Sequence, residues 1–204
     1  MESEVNTEEI NMIRHNLTDF SYMDIGMLPD YISDYCFDTL WNIHPHDYGE
    51  IKIYGKVIKT PRWQQAYGRS YNFSGMNHVA LDLPKEFQLF LDFVNSLDYG
   101  QFNQILINWY ENGLHSIGKH SDDERSLVPG SPIISISLGE TRTFRLRKKC
   151  TDGIFKDIEL TDRMLVVMGD DFQKEFTHEI PKVTGKKGEE LGRLISITFR
   201  QFKN

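Results

Sequence analysis

The segment Arg193-Leu-Ile-Ser-Ile-Thr-Phe-Arg200 is a mostly apolar run rich in β-branched residues, which is typical of a β-strand. It is the last of several such runs in the second half of the chain, and Gly, Pro and charged residues separate them. The others cover residues 105–110, 133–138, 143–146 and 164–168. Helical patterns precede these runs, and helices followed by strands indicate an α+β fold. We predict a double-sheet β-sandwich or jelly roll, buttressed by N-terminal helices.

Two segments of the first half have apolar residues at helical spacing. The first covers residues 29–41, and the second begins at Pro84 and ends before Gly100. A shorter helix is predicted near residues 8–16, within a polar N-terminal region that we expect to be mobile. These helices are the elements that we expect to pack against the sheets.

A short hairpin separates the two main predicted helices. The segment Ile51-Lys-Ile-Tyr-Gly-Lys-Val57 alternates apolar and polar residues around a glycine, the pattern of two strands joined by a tight turn. No repeat, low-complexity tract or linker marks a second folded unit. We therefore predict an N-terminal extension with a helix over residues 1–45 and a single folded domain over residues 46–204.

The composition is that of a globular protein, with 39% hydrophobic and 26% charged residues in a chain of 204. Two widely separated cysteines, Cys36 and Cys150, make no disulfide framework and suggest a reducing compartment. No segment approaches the roughly 18 apolar residues that a membrane span needs. The acidic N-terminus is unlike a signal peptide. We expect a monomeric, intracellular protein without membrane association, in the nucleus or the cytoplasm.

The net charge of −7 argues mildly against a nucleic-acid partner, because such partners are bound largely through phosphate neutralisation. The cations nevertheless form two clusters along the sequence. Each cluster is compatible with a phosphate-binding stripe or, more commonly, with a solvated strand face. The first contains Lys52, Lys56, Lys59, Arg62 and Arg69, and the second contains Arg142, Arg145, Arg147, Lys148 and Lys149.

The segment His120-Ser-Asp122 carries the strongest chemical signal in the sequence. Side chains two residues apart on an extended segment point to the same side, so the imidazole and the carboxylate face together. A later strand with His178 would complete three ligands on one face, the arrangement of non-haem Fe(II) oxygenases. Taken alone, this spacing is found more often in an exposed polar turn. His115 competes for a ligand role but has no carboxylate two residues later.

Other residues have the chemistry to bind an anionic cosubstrate or a nucleic acid. Asn108 and Tyr110 lie two apart on one predicted strand and face the same side, as in any polar sheet face. Arg200 ends the last strand, where a guanidinium can bind a ligand carboxylate or an internal acid through two hydrogen bonds. Tyr54 lies at the hairpin tip between cations, where an aromatic ring can insert between bases or pack locally.

Several longer blocks of sequence contain these residues, in order along the chain. They are Thr60-Pro-Arg-Trp-Gln-Gln-Ala-Tyr-Gly68, Tyr71-Asn-Phe-Ser-Gly75, Asn108-Trp-Tyr-Glu-Asn-Gly113, Ile117-Gly-Lys-His-Ser-Asp-Asp-Glu-Arg-Ser-Leu-Val-Pro-Gly-Ser-Pro-Ile133, Ser135-Ile-Ser-Leu-Gly139, His178-Glu-Ile-Pro181 and Thr198-Phe-Arg200. Together these blocks resemble the AlkB family of Fe(II)/2-oxoglutarate dioxygenases, in particular its eukaryotic duplex-DNA repair members. The resemblance covers about three quarters of the chain, residues 51–203.

The resemblance implies a double-stranded β-helix, the jelly-roll form of this family, and an oxidative demethylase of N-alkylated nucleobases in DNA, with RNA as an alternative. Such an enzyme uses Fe(II), O2 and 2-oxoglutarate, and releases formaldehyde, succinate and CO2. The implied iron ligands are His120, Asp122 and His178, and the implied 2-oxoglutarate contacts are Asn108, Tyr110, Thr198 and Arg200. The residues that match substrate contacts are Tyr54, Tyr71, Phe73, Asp123 and Glu124. A duplex base must be flipped to react, and we expect phosphate contacts from Lys52, Lys56 and Arg62.

One departure from the family concerns the last strand. The family carries two arginines six residues apart on one face there, but the position six before Arg200 is Leu194. Arg193 is one step off, and a one-residue shift reverses the facing of a strand residue. Arg193 therefore binds 2-oxoglutarate only if a β-bulge restores its direction. The alternatives are Arg200 alone, Arg193 through a bulge, or a cation elsewhere such as Arg142 or Arg145.

Two rival functions are also compatible with the sequence. An oxygenase with the same iron chemistry could act on N6-methyladenine in RNA or on a protein. Alternatively, Leu194 suggests a nucleic-acid binder with impaired cosubstrate binding. Formaldehyde release from duplex DNA, RNA and peptides distinguishes the first rival, and titration with 2-oxoglutarate distinguishes the second.

Overall fold

The computed structural model describes residues 10–32, 35–73, 76–151 and 153–203, and two β-sheets form its centre. The strands of the larger sheet, in spatial order, are β1 (Ile13–Thr18), β2 (Ser21–Met27), β14 (Met164–Asp170), β11 (Ile133–Gly139), β16 (Leu194–Arg200), β9 (Gln104–Tyr110), β5 (Trp63–Tyr67) and β8 (Ala80–Leu81). Those of the smaller sheet are β10 (Ile117–His120), β15 (Phe176–Ile180), β12 (Arg142–Lys148) and β13 (Ile154–Leu160).

Two hairpins and several helices complete the described part of the chain. The hairpins are β3 (Glu50–Ile53) with β4 (Lys56–Lys59), and β6 (Tyr71–Phe73) with β7 (Met76–His78). The helices are a 3-10 turn (Asp30–Ile32), α1 (Phe37–Trp41), α2 (Lys85–Ser96), α3 (Phe172–Glu175) and α4 (Gly185–Glu190). Within the described ranges, no helix has both the length and the apolar character that crossing a membrane requires.

The larger sheet is covered on both faces, and β9 shows how its side chains divide between them. Every residue of β9 is buried. The odd-numbered residues Ile105, Ile107 and Trp109 pack in one core with Phe87 and Phe90 on the inner face of α2. The even-numbered residues of β9 point to the opposite face, toward the smaller sheet, because side chains alternate along a strand.

A second core fills the space between the two sheets. Tyr110 and Leu194 enter it from the larger sheet, and Phe144, Leu146 and Phe176 enter it from the smaller one. Full burial of such a side chain contributes about 1.5–3 kcal/mol, so this layer is a main source of stability. Two facing sheets with helices on one outer face confirm the predicted α+β fold with a double-stranded β-helix.

The helix predicted near residues 8–16 is wrong where the structure describes the chain. Ile13–Thr18 forms strand β1, β1 pairs with β2, and β2 pairs with β14 inside the larger sheet. Met23 of β2 is buried in the core between the sheets, so tertiary packing determines the conformation of this polar segment. Residues 8 and 9 lie outside the described ranges, and the division of the chain at residue 45 stays a prediction.

The single helix predicted over residues 29–41 is also wrong. The structure has a 3-10 turn (Asp30–Ile32) and the separate α1 (Phe37–Trp41), and Cys36 before α1 has an extended conformation. Residues 33 and 34 lie outside the described ranges. Ile32 and Leu40 are both buried in the core that contains the inner face of α2. The apolar residues at helical spacing therefore mark the residues that are buried, although they do not lie in one continuous helix. The predicted hairpin and the predicted helix after Pro84 are confirmed.

Candidate metal centre

Two adjacent strands of the smaller sheet bring the three predicted metal ligands together. His120 ends β10, His178 lies in the middle of β15, and the antiparallel register places them opposite each other. Asp122 follows β10 by two residues. One ligand atom from each side chain lies within 4.8 Å of the others, and His178 Nε2 is 3.6 Å from Asp122 Oδ2. This is a two-histidine, one-carboxylate face.

Backbone contacts fix the orientation of this group. His120 Nδ1 lies 2.9 Å from the carbonyl oxygen of Gly118, so Nδ1 is placed to donate and Nε2 is left to bind a metal. Ser121 Oγ donates to the carbonyl oxygen of Phe176 at 2.9 Å, which ties the turn after β10 to β15. These hydrogen bonds therefore hold His120 and the turn that carries Asp122 in place.

Burial and charge set protonation states that suit metal binding. Burial lowers the pKa of His178 to about 3, with the His120 ring acting in the same direction, so this imidazole is neutral. Burial alone would raise the pKa of Asp122, but Arg200 and the two imidazoles keep it below its usual value. Two neutral imidazoles and one ionised carboxylate are a donor set that suits Fe(II). The residues present therefore fit a ferrous ion.

Arg200 lies directly beside the metal ligands and is 3% exposed. Its Nη2 donates to Asp122 Oδ1, its Nε is 3.8 Å from Glu124 Oε1, and its Nη1 donates to Gln104 Oε1 at 3.2 Å. Burial would lower the pKa of Arg200, but the Asp122 and Glu124 carboxylates raise it above its ordinary value. The positive charge of Arg200 therefore has carboxylate partners that are buried with it.

A cavity extends from the metal ligands into the space between the sheets. Asn108, Tyr110, Ser196 and Thr198 line it from the larger sheet, together with Arg200. The pairing of β9 with β16 sets their order, because Asn108 is opposite Ser196 and Tyr110 is opposite Leu194. The four predicted 2-oxoglutarate contacts other than Arg193 are thus brought to one cavity.

The structure places Arg193 outside this cavity. From Leu194 to Arg200, β16 pairs with β9 and β11 without a register shift, so no bulge turns Arg193 inward. Its Nη2 donates to Asp38 at 2.6 Å, and its guanidinium carbon lies 5.0 Å from the ring centre of Trp41. The bulge alternative for Arg193 is therefore wrong, and Leu194 is fully buried between the sheets.

A second recess opens from the metal ligands on the side of the β6–β7 hairpin. Arg62, Tyr71 and Glu124 line it. Arg62 is 5% exposed and its Nε donates to Asn108 Oδ1 at 2.7 Å, so the predicted phosphate contact of Arg62 is wrong. Neither carboxylate oxygen of Glu124 has a hydrogen-bond partner among the described residues, and burial raises the pKa of this carboxyl.

Two predicted substrate contacts lie elsewhere or cannot be placed. The Asp123 side chain is 69% exposed, and a carboxylate oxygen lies 3.5 Å from Lys149 Nζ at the rim of the site. Phe73 belongs to β6, but its side chain lies outside the described part of the structure. Asp123 therefore faces solvent, while its neighbour Glu124 faces the recess.

The hairpin tip presents Tyr54 to solvent with a relative exposure of 101%. Tyr54 and Gly55 have φ angles of 47° and 80°, which is the left-handed backbone of a tight hairpin turn. Lys52 and Lys56 flank the turn and are exposed. The packed-tip alternative for Tyr54 is excluded, because its ring has no burial at all.

Sequence reasoning missed several residues that support the site. Gln104 lies opposite Arg200 and accepts its hydrogen bond; its position on the same face as Asn108 and Tyr110 was the available signal. Gln173 accepts the backbone N–H of Asp122 at 2.9 Å. No local pattern marks Gln173, because its contact arises only when α3 packs beside the β10 end.

Residues 43–200 match the family model described as "2OG-Fe(II) oxygenase superfamily". The chain is 31% identical over 161 residues to DNA oxidative demethylase ALKBH2 of Homo sapiens, covering 74% of this chain and 60% of that protein. It is 34% identical over 107 residues to Alpha-ketoglutarate-dependent dioxygenase alkB homolog 3 of Rattus norvegicus, covering 48% of this chain and 35% of that protein. A solved structure described as "The structure of OsALKBH1" shares the fold, with a TM-score of 0.60, 15% identity and coverage of 93% of this chain and 100% of that one.

The chain thus spans about 60% of the length of human ALKBH2. The matched segment contains His120, Asp122 and His178, together with the cavity residues of β9 and β16. These relatives confirm the resemblance to AlkB proteins. The chain belongs to the 2OG-Fe(II) oxygenase superfamily, whose metal and cosubstrates are Fe(II), 2-oxoglutarate and O2.

Proposed function

We propose that this chain is an Fe(II)/2-oxoglutarate-dependent dioxygenase that removes alkyl groups from nucleobases in DNA. The observation that carries the proposal is the convergence of His120, Asp122 and His178 between the cavity and a second recess. Relatives named as DNA oxidative demethylases support the substrate class. When bound, Fe(II) with 2-oxoglutarate and O2 supplies the oxidation of the N-alkyl carbon, with formaldehyde, succinate and CO2 as products.

The cavity residues have the chemistry to orient 2-oxoglutarate. The side chains of Asn108 and Tyr110 line the cavity and are both buried, so hydrogen bonds that they donate are shielded from water. Thr198 adds a hydroxyl from β16. Arg200 holds Asp122 in its orientation and keeps that carboxylate charged. The protein's contribution is therefore orientation and exclusion of water.

The second recess has the features of a pocket for a flipped base. Tyr71 is 5% exposed and presents a flat ring beside Arg200, whose guanidinium carbon is 5.6 Å from the ring centre. Glu124 offers two buried oxygens without hydrogen-bond partners in the described chain, and a base edge can supply those partners. Asp123 at the rim can contact the same nucleotide from the solvent side. Extrusion from the duplex is required because a stacked base cannot reach this recess.

The β3–β4 hairpin is suited to support base flipping. Tyr54 projects from its tip, and the exposed lysines Lys52, Lys56 and Lys59 lie on its two strands. We infer that the Tyr54 ring fills the position left by the flipped base while the lysines contact phosphates. A charge pattern of this kind reconciles a nucleic-acid substrate with the acidic net charge of the chain.

Formaldehyde release tests the proposed function. The full chain with Fe(II), ascorbate and 2-oxoglutarate is given N-methylated duplex DNA, the same single strand, RNA with N6-methyladenine, and a methylated peptide. We expect the highest turnover with methylated DNA and none with the Asp122→Ala control. Higher turnover on RNA or peptide would assign the chain to that substrate class instead. No turnover on any of them, with intact DNA binding, would favour a nucleic-acid binder without catalytic activity.

A monomeric state and an intracellular location are further parts of the proposal.

A further inference from the structure

Arg142, at the start of β12, is a buried cation that forms no ion pair with a carboxylate among the described residues. It is 2% exposed, and its guanidinium donates to four backbone carbonyl oxygens. These belong to Asn112 at 3.0 Å, Gly113 at 3.5 Å, His115 at 2.9 Å and Pro181 at 3.1 Å. Within the described ranges, no carboxylate oxygen forms an ion pair with Arg142. Carbonyl oxygens satisfy its hydrogen bonds but leave its charge without a counter-ion.

The nearby acid does not serve as that counter-ion. Glu140 acts on Arg142 electrostatically, but its carboxylate oxygens accept hydrogen bonds from the backbone N–H groups of Thr141 and Gly192. Burial of an unbalanced charge is costly. A protein tolerates such a charge most readily where an anionic ligand balances it during function.

The position of Arg142 relates it to the cavity that starts at the metal ligands. Phe144 lies two residues later on the same face of β12, lines the cavity, and has its ring centre 5.1 Å from that of His178. The guanidinium carbon of Arg142 lies 5.9 Å from the ring centre of Tyr110, which lines the cavity from the opposite sheet. Arg142 is also paired with Leu160, another lining residue. Arg142 does not itself line the cavity, but it lies next to Tyr110 and Leu160, which do.

The cosubstrate requires a cation at one end of this cavity. 2-Oxoglutarate has two carboxylates. The carboxylate next to the 2-oxo group, together with that group, suits the metal. The distal carboxylate must then be bound farther from the metal, in a place that water does not reach. Arg200 is already paired with Asp122 and Glu124, Arg193 lies on the outer side, and Leu194 has no charge. Arg62 faces the other recess. Among the described cations, Arg142 is the one that combines burial at this end with a missing counter-ion.

We propose that Arg142 supplies the positive charge that binds the distal carboxylate of 2-oxoglutarate, with the Tyr110 hydroxyl as a hydrogen-bond donor to the same carboxylate. This role rests on the proposed use of 2-oxoglutarate by this chain. Arg142 on β12 would then take the role of the arginine that the family has on the last strand, at the position where this chain has Leu194. It is a specificity residue for dicarboxylates, because it contributes nothing to a 2-oxo acid that lacks the distal group.

Calorimetric binding to the Mn(II)-loaded full chain tests this role without turnover. The two ligands are 2-oxoglutarate and 2-oxopentanoate, in which a methyl group replaces the distal carboxylate. The measured quantity is the ratio of their dissociation constants. We expect the wild type to prefer 2-oxoglutarate by about 100-fold or more, since a charge-assisted contact accounts for roughly 10- to 100-fold and the hydroxyl adds to it. Arg145 lies on the same strand, is partly buried and pairs with Asp157, so Arg145→Gln is the matched loss of an arginine and should keep the wild-type ratio.

Two variants of Arg142 separate charge from structure. Arg142→Gln keeps a donor for the carbonyl oxygens but removes the charge, so the ratio should fall by the roughly 10- to 100-fold share of the charge-assisted contact and keep only the share of the Tyr110 hydroxyl. Arg142→Lys keeps a charge in a different position, so the ratio should fall by about tenfold. Mn(II) affinity and thermal unfolding report whether each variant is folded. If Arg142→Gln does not fold, the ratio measured with Arg142→Lys decides.

An unchanged ratio in a folded Arg142 variant would overturn the proposal. A ratio that collapses in Arg62→Gln but persists in Arg142→Gln would also overturn it and move the contact to Arg62. A wild type that binds both ligands equally would show that the distal carboxylate is not recognised. A wild type that binds neither ligand would instead contradict the proposed function itself, which separates the two failures.

Discussion

Arg200 lines the cavity beside the metal ligands and Arg142 lies next to Tyr110 of the same cavity, and both are almost fully buried, but their electrostatic surroundings differ. Arg200 contacts the carboxylates of Asp122 and Glu124, whereas the described contacts of Arg142 are backbone carbonyl oxygens. At the metal end, the positive charge of Arg200 is therefore balanced before a ligand binds, and the arginine positions a metal ligand. At the other end, the positive charge is balanced only when an anion enters. Two buried arginines of similar exposure thus indicate different roles.

The largest expected effect is at the metal ligands. His120→Ala, Asp122→Ala and His178→Ala should each abolish turnover, because each removes one of three protein ligands. The fold should survive each substitution, because these three side chains line the cavity and do not belong to the hydrophobic core between the sheets. Metal titration, formaldehyde release and thermal unfolding measure these effects. Near-normal uncoupled decarboxylation of 2-oxoglutarate in two of the three variants would show that the iron assignment is wrong.

Substitution of Arg200 tests whether this arginine balances the buried carboxylates beside the metal ligands. Arg200→Gln leaves Asp122 and Glu124 buried without their cation, which should lower the free energy of unfolding by about 3–5 kcal/mol. A divalent ion supplies positive charge to Asp122, so Mn(II) should restore part of this loss. Denaturant unfolding with and without Mn(II) measures the difference, with Arg142→Gln as the comparison, in which we expect little restoration. If Mn(II) raised the free energy of unfolding equally in both variants, the proposed difference between the surroundings of Arg200 and Arg142 would be wrong.

The exposed hairpin should contribute less and only to duplex substrates. Tyr54→Ala removes a ring whose stacking on a base contributes roughly 1–3 kcal/mol, so kcat/KM on methylated duplex should fall about 5- to 150-fold. Activity on the single strand should change little. Val57→Ala, an exposed residue of the same hairpin, is the matched control. Equal losses on duplex and single strand would show that Tyr54 does not act by insertion.

The smallest expected effect is at Arg193. Its side chain is 42% exposed and pairs with Asp38 at the surface, so Arg193→Ala should cost less than about 1 kcal/mol of stability. The dissociation constant for 2-oxoglutarate should not change. Calorimetry on the Mn(II)-loaded variant measures it. A tenfold weaker binding would place Arg193 at the cavity and contradict the pairing observed along β16.

The metal ligands could be predicted from the sequence because their signal is local. The alternation of a strand places His120 and Asp122 on one side without knowledge of the fold. The match with His178 depends on the register of β10 with β15, which no local pattern shows. The family resemblance supports the assignment of His178 as the third ligand, and the structure places the two histidines opposite each other.

Buried charged residues were harder to predict, because their partners are distant in sequence. Arg62 was expected at the surface, but Asn108 accepts its Nε–H inside the wall of the site. Asp24 made its segment look polar and disordered, but Arg14 and Tyr99 bind its carboxylate at 2.7 Å each, so β2 can lie within the sheet. In both cases a long-range hydrogen bond satisfies the polar group, and composition alone does not reveal it.

Anaerobic titration of the Fe(II)-loaded chain with 2-oxoglutarate tests the central claim most directly. Chelation of ferrous iron by a 2-oxo acid produces a visible charge-transfer absorption, which reports both ligands at one site. We expect this absorption to appear in the wild type and to saturate at one equivalent per chain. It should be absent in His178→Ala, which lacks one of the three ligands. An absent absorption in the wild type, or an unchanged one in His178→Ala, would contradict the assignment of His120, Asp122 and His178 as the iron site.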